Sequence, residues 1–417
     1  MRQRKGATCQ KASLTYNLPK QLSQTINNTG ITFEDDTVKW HWIASISVIC
    51  LVIAEVTMVI ALFDIEDEER FFECFSVLCF CFVGFLKFLS LNCNHKQWSF
   101  ILSNITELEK EQISYEPPSV EYETDDESDD ENETFHFPHH INSYTAQFQA
   151  VSTFLFRMYT TTLIIFVVSP FVEYAFRRIL GERVEWLRVL PGWEPFANKS
   201  FVGHVINIIV EIIGSCYCVV LHVAFDLMSI GVMIFICGQF SLLRVYSENI
   251  GGTGRHWQMS KRRNERAHQR IISCHKIHVL LMNTSNELSK LLANILGVYF
   301  FLATLTLCSV AVQLNSELSS MQLVSLVQYT CATLTQLYLY CRYGDNVLHE
   351  SSIGMGQGPF GAAHWCLGPR TRRELAMLGA GMMLPRYVAA GPFMRLDLPS
   401  LINVVRTAYS YYAVIRQ

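Results

Sequence analysis

The sequence has little charge for its length. Only 17% of its 417 residues are Asp, Glu, Lys or Arg, whereas 50% are hydrophobic. A soluble domain usually carries about a quarter charged residues, so the composition indicates a protein that crosses a membrane several times. The net charge of −4 gives no basis for nucleic-acid binding.

The chain also lacks catalytic signatures. It contains no GxSxG, HExxH or Walker loop, so we predict that it is not an enzyme and needs no cofactor. His136, His139 and His140 have no cysteines at ligand spacing, which favours a solvated loop over a metal site. Most cysteines lie in apolar segments, where a free thiol acts as a small hydrophobe, so no disulfides are expected.

Seven stretches reach the roughly 20 mainly apolar residues that a bilayer span requires. They are 41–63, 71–91, 154–176, 201–240, 291–312, 321–341 and 396–415. The sequence therefore predicts an all-α membrane protein with seven transmembrane helices. Far more Lys and Arg lie in the segments on the N-terminal side than in the opposite loops, which predicts a cytoplasmic N-terminus and an extracellular C-terminus.

Four regions follow from these spans: a cytoplasmic segment 1–40, a six-helix transmembrane domain 41–341, a cytoplasmic region 342–393, and a final helix 394–417. The polar, basic first region is not a cleavable signal peptide. The first span is therefore expected to act as the insertion signal.

The loops add three further expectations. The acidic, proline-flanked run at 116–140 predicts a disordered cytoplasmic insertion. The basic stretch 255–276 predicts a cytoplasmic helix between the fourth and fifth spans, with a calmodulin-binding or lipid-surface helix as the alternative. In the predicted orientation, the sequon at Asn198 faces outward and is a candidate glycosylation site.

Several ionisable residues lie within the predicted spans, and four of them carry expectations. Lys87 and Arg157 fall near cytoplasmic ends, where long side chains can extend to the interface as anchors. The 40-residue fourth segment would be about 60 Å long, so Asp226 is expected near the inner interface. Glu211 is expected in the outer half, either lining a cavity or forming a packed polar contact.

The final helix carries polar residues at helical spacing. Thr407, Ser410 and Gln417 recur near one face, with Val414 beside them. Such a face could line a pore with a hydrophobic constriction that gates by dewetting. The residues alone leave open the alternative of a packed helix with small residues at its interface.

The last quarter of the chain contains a dense motif set. It runs through Tyr343-Gly344-Asp345-Asn346, Glu350, Trp365, Arg372-Arg373 and Tyr409-Ser410-Tyr411-Tyr412-Ala413. This segment resembles the C-terminal signature of insect odorant receptors, in the form found in ligand-specific subunits and not in the shared co-receptor.

The resemblance implies a non-selective cation channel, gated by a volatile hydrophobic odorant and assembled with the olfactory co-receptor as a heterotetramer. The protein is expected to lie in the plasma membrane of olfactory sensory neurons, in contact with membrane lipid. The resemblance places the narrow gate at Val414, with Gln417 one turn outward and Thr407 and Ser410 on the same pore face.

The resemblance also implies a subunit anchor and an odorant pocket. The anchor residues are Tyr343, Gly344, Asp345, Asn346, Glu350, Trp365 and Arg373. Gly344 is expected to let the chain turn after the sixth helix, Asp345 and Asn346 to cap a new turn, and residues 372–383 to form a short helix before Pro385. The pocket is expected in the outer half, formed by Phe72, Phe75, Thr162, Ile165, Phe166, Ile208, Glu211, Ile212, Val324, Gln328 and Tyr329.

Three other protein classes are alternatives. A gustatory-receptor-like channel would be homomeric, and a requirement for coexpression separates the two. A G-protein-coupled receptor would have the opposite orientation, and the sequence lacks Asn-Pro-x-x-Tyr in its seventh span. A transporter would show internal repeats, and the sequence shows none.

Overall fold

The chain folds as a bundle of long helices. The computed structural model describes residues 18–34, 37–65, 67–114, 137–181, 187–193, 201–252, 259–315, 319–392 and 394–415. The helices are α1 (Leu18–Asn27), α2 (Trp42–Asp64), α3 (Glu68–Cys93), α4 (His95–Ser114), α5 (Phe137–Ile179), α6 (Phe201–Glu248), α7 (Lys261–Gln313), α8 (Ser320–His349), α9 (Gln357–Gly361), α10 (Pro369–Met382) and α11 (Leu398–Ile415). Two short antiparallel strand pairs join β1 (Ile31–Glu34) to β2 (Thr37–Trp40) and β3 (Ala389–Ala390) to β4 (Met394–Arg395).

The seven predicted spans coincide with α2, α3, α5, α6, α7, α8 and α11. Among the described helices, α2, α3, α5, α6 and α7 are long and apolar enough to cross a membrane. Helices α8 and α11 have 30 and 18 residues and carry more polar side chains. All seven therefore lie where the sequence predicts spans.

Helix α6 is the centre of the bundle. In its most apolar stretch, 83% of the residues are buried, against 33% in α2 and 11% in α5. A helix that is apolar around its whole circumference belongs in the interior of a bundle, in contact with other helices on all sides. The outer faces of α2 and α5 instead carry the exposed Val, Ile and Phe side chains expected against lipid.

Helices α6 and α7 extend well beyond a bilayer. Their 48 and 53 residues correspond to about 72 and 80 Å, against about 30 Å of hydrocarbon. The helix predicted from 255 to 276 is present from residue 261, where it runs on into the fifth span as one helix, α7; residues 253–258 lie outside the described part. The short helix predicted at 372–383 is present as α10.

The acidic insertion lies largely outside the described residues, which resume at 137. Helix α5 begins at Phe137, so the predicted disorder is wrong for the last four residues of 116–140. Extending an existing helix adds about one backbone hydrogen bond per residue, so the long helix that follows can propagate into these polar residues.

The expected turn at Gly344 is also wrong. Helix α8 continues through Gly344, Asp345 and Asn346 to His349. The glycine instead permits a close approach, because a Cβ there would overlap both the Cβ and the carbonyl oxygen of Leu396. Gly344 thus lets the segment before α11 pack against the backbone of α8.

Lys87 is not a snorkelling anchor. Its side chain is fully buried, and its Nζ lies 2.5 Å from Oδ1 of Asp226, which is also fully buried. Lys87 Nζ also lies 3.0 Å from Nδ1 of His222. The anchor expectation for Lys87 is therefore wrong, since its charge has a partner inside the bundle. Arg157 is exposed, as an anchor would be.

Asp226 is the acceptor for four side chains from three other helices. Besides Lys87 of α3, Tyr159 of α5 donates to Oδ2 at 2.5 Å, Gln336 of α8 donates to Oδ2 at 2.8 Å, and Tyr340 of α8 donates to Oδ1 at 2.6 Å. We call Lys87, Tyr159, Asp226, Gln336 and Tyr340 the central network. It connects α3, α5 and α8 to the central helix α6.

Removing one partner of the buried pair should destabilise the protein strongly. Lys87→Met or Asp226→Leu leaves the other charge buried without its counter-ion, at a cost of about 3–5 kcal/mol. The double variant removes both charges and should regain most of that loss. Thermal unfolding of the detergent-solubilised variants checks this; additive losses in the double variant would contradict a direct interaction.

A second buried acid lies outside the predicted spans, on α4. Glu109 is 1% exposed and accepts a hydrogen bond from the Tyr144 hydroxyl at 2.9 Å. Burial raises the pKa of Glu109 to about 7 because the charged form is poorly solvated, although hydrogen bonds from Tyr144 and the Leu18 backbone oppose the shift. The folded protein thus binds this proton more tightly than the unfolded chain.

Stability should therefore fall as pH rises from about 4.5 to 7, the window between the ordinary and the raised pKa of Glu109. The slope from this group is at most about 1.4 kcal/mol per pH unit. Glu109→Gln mimics the neutral acid, so it should match wild type at pH 5 and be more stable at pH 8. Thermal unfolding across this range checks this, and parallel profiles would contradict it.

Candidate functional site

A large cavity lies at the end of the bundle that carries the connections from α2 to α3, from α5 to α6 and from α7 to α8. Its volume is about 1060 Å³, and its wall is formed by α3, α5, α6, α8 and residues 187–193. Small-molecule sites typically span about 300–1,000 Å³. The cavity is therefore large enough for a small organic ligand and surrounding water.

The mouth of the cavity is charged. Arg70 Nε lies 3.9 Å from Asp67 Oδ2, and Arg177 Nη2 lies 2.6 Å from Glu173 Oε1. Exposed pairs of this kind contribute little to stability. Their consequence is a hydrated entrance that leads into a less polar interior.

The deeper wall is mainly aromatic and aliphatic. It includes Val77, Phe80, Leu163, Ile165, Phe166, Val219, Leu326 and Tyr329. Polar groups of the wall are mostly engaged within the protein: Thr162 Oγ1 accepts from Nε2 of Gln328, which lies outside the wall, at 3.1 Å, and the Tyr329 hydroxyl donates to the Ser76 carbonyl at 3.4 Å. Such a wall suits a mostly apolar ligand.

The floor of the cavity contacts the central network. The Phe80 ring stacks on His222 with centroids 4.2 Å apart, and His222 contacts Lys87. Tyr159 also lines the cavity while its hydroxyl donates to Asp226. A ligand that contacts Tyr159 is therefore one side chain away from the buried ion pair, and a ligand that contacts Phe80 is two side chains away.

Glu211 holds the roof. Its Oε2 accepts the backbone N–H groups of Val189 and Leu190 at 3.3 and 3.2 Å, and its Oε1 accepts from Asn207 at 2.8 Å. These bonds fix residues 187–193 above the cavity. Glu211 thus forms a packed polar contact, the second of the two interpretations drawn from the sequence.

The sequence-derived pocket residues divide into two groups. Thr162, Ile165, Phe166 and Tyr329 lie in the cavity wall. The residues outside that wall are Phe72, Phe75, Ile208, Glu211, Ile212, Val324 and Gln328. Val324, for example, is 53% exposed on the outside of α8. The sequence indicates which helices border the cavity, but it does not show which face of each helix turns toward it.

Most of the wall was not predicted from the sequence, including Phe80, Tyr159 and Ser215. Tyr159 precedes Thr162 by three residues, which places the two on one helical face. This three-residue spacing from the predicted Thr162 could have identified Tyr159 as a wall residue. Phe80 and Ser215 carry no comparable pattern, because each sits in a uniformly apolar helix.

Helix α11 packs against the bundle by one face. Ser400, Val404 and Ala408 are buried, whereas Ser410 and Val414 are exposed, Val414 by 70%. Thr407 is half-buried. Asn403, Thr407, Ser410 and Val414 follow each other at spacings of three or four residues, so they form one stripe beside the buried face. Gln417 lies outside the described residues.

The residues expected to form the anchor range from buried to exposed. Tyr343 and Gly344 are buried, Asp345 and Asn346 are half-buried, and Trp365 and Arg373 are exposed. Glu350 Oε2 lies 3.5 Å from Arg244 Nη1 of α6. Asn198 lies outside the described residues. Among those described, no cluster of three His, Cys, Asp or Glu side chains could hold a metal.

Comparison with known proteins identifies the family. The family described as 7tm Odorant receptor matches residues 69–409. Odorant receptor 22c of Drosophila melanogaster is 25% identical over 44% of this chain and 46% of its own length. Odorant receptor 45a of the same species is 29% identical over 33% of this chain and 36% of its own length. The matches thus span less than half of these relatives.

Solved structures share the whole fold. The olfactory receptor OR5 from Machilis hrabei in complex with eugenol superposes with a TM-score of 0.75, covering 96% of this chain and 97% of that chain at 13% identity. A second structure of OR5 from the same species superposes with a TM-score of 0.74, covering 95% of this chain and 97% of that chain at 14% identity. With the family match covering most of the sequence, the chain belongs to the insect odorant receptor family, whose members are seven-helix membrane receptors.

Proposed function

We propose that this chain is the ligand-specific subunit of an odorant-gated, non-selective cation channel. The cavity of about 1060 Å³ carries the proposal, because it combines a charged mouth with an aromatic and aliphatic interior. That arrangement admits a molecule from water and binds it by its apolar surface. The relative OR5 is described with eugenol bound, an aromatic molecule of suitable size.

The orientation that places the N-terminus in the cytoplasm would put the mouth on the outer surface. A volatile ligand would enter between Asp67, Arg70, Glu173 and Arg177 and would rest on Phe80 and Tyr159. Only a ligand that binds the open state more tightly than the closed state can gate a channel. The contacts of the floor with the central network give ligand binding a route to α8.

Helix α11 is proposed as the pore-lining helix. Its buried face packs on the bundle, so the stripe of Asn403, Thr407, Ser410 and Val414 is free to meet the same helix of neighbouring subunits. In a ring of such helices, Val414 would form an apolar constriction beside the polar Ser410. Constrictions of that kind stop ions by dewetting.

The region 342–393 is proposed as the subunit anchor, with Tyr343 to Asn346, Glu350, Trp365 and Arg373 as its core. Large apolar side chains are exposed around it: Phe360, Trp365, Met377, Met383, Leu384 and Tyr387. Exposed apolar surface outside lipid marks protein interfaces. We propose that it binds the olfactory co-receptor in a heterotetramer in the plasma membrane of olfactory neurons.

The proposal is tested by coexpression. Whole-cell currents are recorded from cells that carry this chain, the co-receptor, or both, across esters, alcohols, aldehydes, ketones, terpenes and simple hydrocarbons. We expect ligand-dependent cation current only from the pair. Current of equal size from this chain alone would support the gustatory-like homomer, and no current from a pair present at the cell surface would contradict the proposal.

The gate is tested with matched valine variants. Val414 and Val405 are both exposed on α11, but nine residues of helix place them on opposite sides. Val414→Thr should weaken the apolar barrier and raise the ligand-free current several-fold, because a hydroxyl stabilises water in the constriction. Val405→Thr makes the same chemical change and should leave the current unaltered. Equal effects from both variants would rule out Val414 as the gate.

A further inference from the structure

Helix α11 carries a single charged side chain, that of Arg406. The residue lies eight positions after Leu398, where the helix begins, and nine positions before Ile415, where it ends. At 1.5 Å per residue, about 12 Å of helix separates it from either end. Arg406 is therefore at the middle of the seventh predicted span, and its side chain is too short to reach either interface.

The Arg406 side chain points away from its own bundle. It is exposed, and at about 100° per residue it lies roughly opposite Val404, the middle residue of the buried face. Among the described residues, Arg406 forms no ion pair. The nearest acid along the chain, Asp397, instead accepts the Ser400 backbone N–H at 2.9 Å at the start of α11. The charge of Arg406 is therefore not compensated by the described part of its own subunit.

A charged side chain at this depth requires water or a protein partner. Hydrocarbon solvates a guanidinium poorly, so charged residues within spans almost always face the interior of a bundle or a water-filled cavity. Because Arg406 faces away from its own bundle, lipid is excluded on energetic grounds. The environment that remains is the space between neighbouring α11 helices.

The position of Arg406 on α11 relates it to the proposed pore stripe. Arg406 lies one helical turn before Ser410 and about two turns before Val414, and all three are exposed. Four and eight residues correspond to rotations of about 40° and 80°, so the three side chains share one side of the helix. An orientation that turns Ser410 and Val414 toward a central axis therefore brings Arg406 to the same pathway, about 12 Å from Val414 along the helix.

On the basis of the proposed function, we infer that Arg406 lies on the ion pathway, on the cytoplasmic side of Val414, and selects against divalent cations. An arginine side chain carries a fixed positive charge, and its repulsion of a cation is proportional to the charge of that cation. Ca²⁺ therefore meets a higher barrier than Na⁺. Arg406 is a selectivity-determining residue in this arrangement.

The test measures the permeability of the channel to Ca²⁺ relative to Na⁺ in cells that carry this chain with the co-receptor. The channel is opened with the volatile of the coexpression panel that gives the largest current, and the reversal potential is recorded with Ca²⁺ outside and Na⁺ inside. This potential does not depend on the number of channels at the surface, so a variant that inserts poorly remains informative.

Four variants are compared with wild type: Arg406→Gln, Arg406→Glu, Arg406→Lys and Arg157→Gln. The last is the matched control, because Arg157 is also an exposed arginine but lies on the outer face of α5 beside the exposed Phe154 and Phe156. It undergoes the same chemical change away from the proposed pathway.

We expect Arg406→Gln to raise the ratio of Ca²⁺ to Na⁺ permeability roughly 2- to 4-fold, the effect of removing one unit charge about 6 Å from the ion in water. Arg406→Glu should raise the ratio further, since it reverses the charge. Arg406→Lys keeps the charge and should retain the wild-type ratio. Arg157→Gln should leave the ratio unchanged.

The outcomes separate this inference from the function on which it rests. A wild-type ratio in both the Gln and Glu variants would overturn the role of Arg406 and leave the odorant-gated channel standing, and so would loss of surface complexes with no change in ratio, the result expected of a subunit contact. A shift in Arg406→Lys as large as in Arg406→Gln would also overturn it, because charge would not be the cause. A pair at the cell surface that gives no current with any volatile would overturn both.

Discussion

The buried charge of Asp226 constrains the whole bundle. A carboxylate cannot remain inside an apolar helix bundle unless charge and hydrogen bonds compensate it. Here Lys87, Tyr159, Gln336 and Tyr340 supply both. Because these donors come from α3, α5 and α8, the positions of three helices around α6 depend on a single side chain.

The same constraint shapes the cavity. Residues 187–193 line the cavity above the central network, and Glu211 holds them through the backbone N–H groups of Val189 and Leu190. Two buried carboxylates thus hold elements around the cavity although neither lies in its wall: Asp226 binds the Tyr159 hydroxyl, and Glu211 binds the backbone of Val189 and Leu190. Each acts through hydrogen bonds and not through apolar packing.

At the other end of the bundle, close backbone packing replaces buried charge. Gly344 of α8 admits Leu396, and Gly297 of α7 faces Gly391, whose N–H donates to the Ala293 carbonyl at 2.6 Å. Gly391 has a φ of +73°, a conformation that suits glycine. The chain can therefore turn tightly before it enters α11, so that α11 packs on α7 and α8 with Asn403, Ser410 and Val414 exposed.

The sequence by itself determined the class of protein, the number and positions of the long helices, and the family, because apolar length and local motifs are properties of contiguous residues. It also identified four residues of the cavity wall. Only the tertiary structure decided that Lys87 and Asp226 form a pair, that Glu211 holds a loop, and that Gly344 lies within a helix. Lys87 and Asp226 are 139 residues apart, and hydropathy within one segment holds no information about the rotation of a helix or its partner. Whether a charged residue in a span lies at the membrane interface or in a buried ion pair is therefore decided only by the packing of the helices.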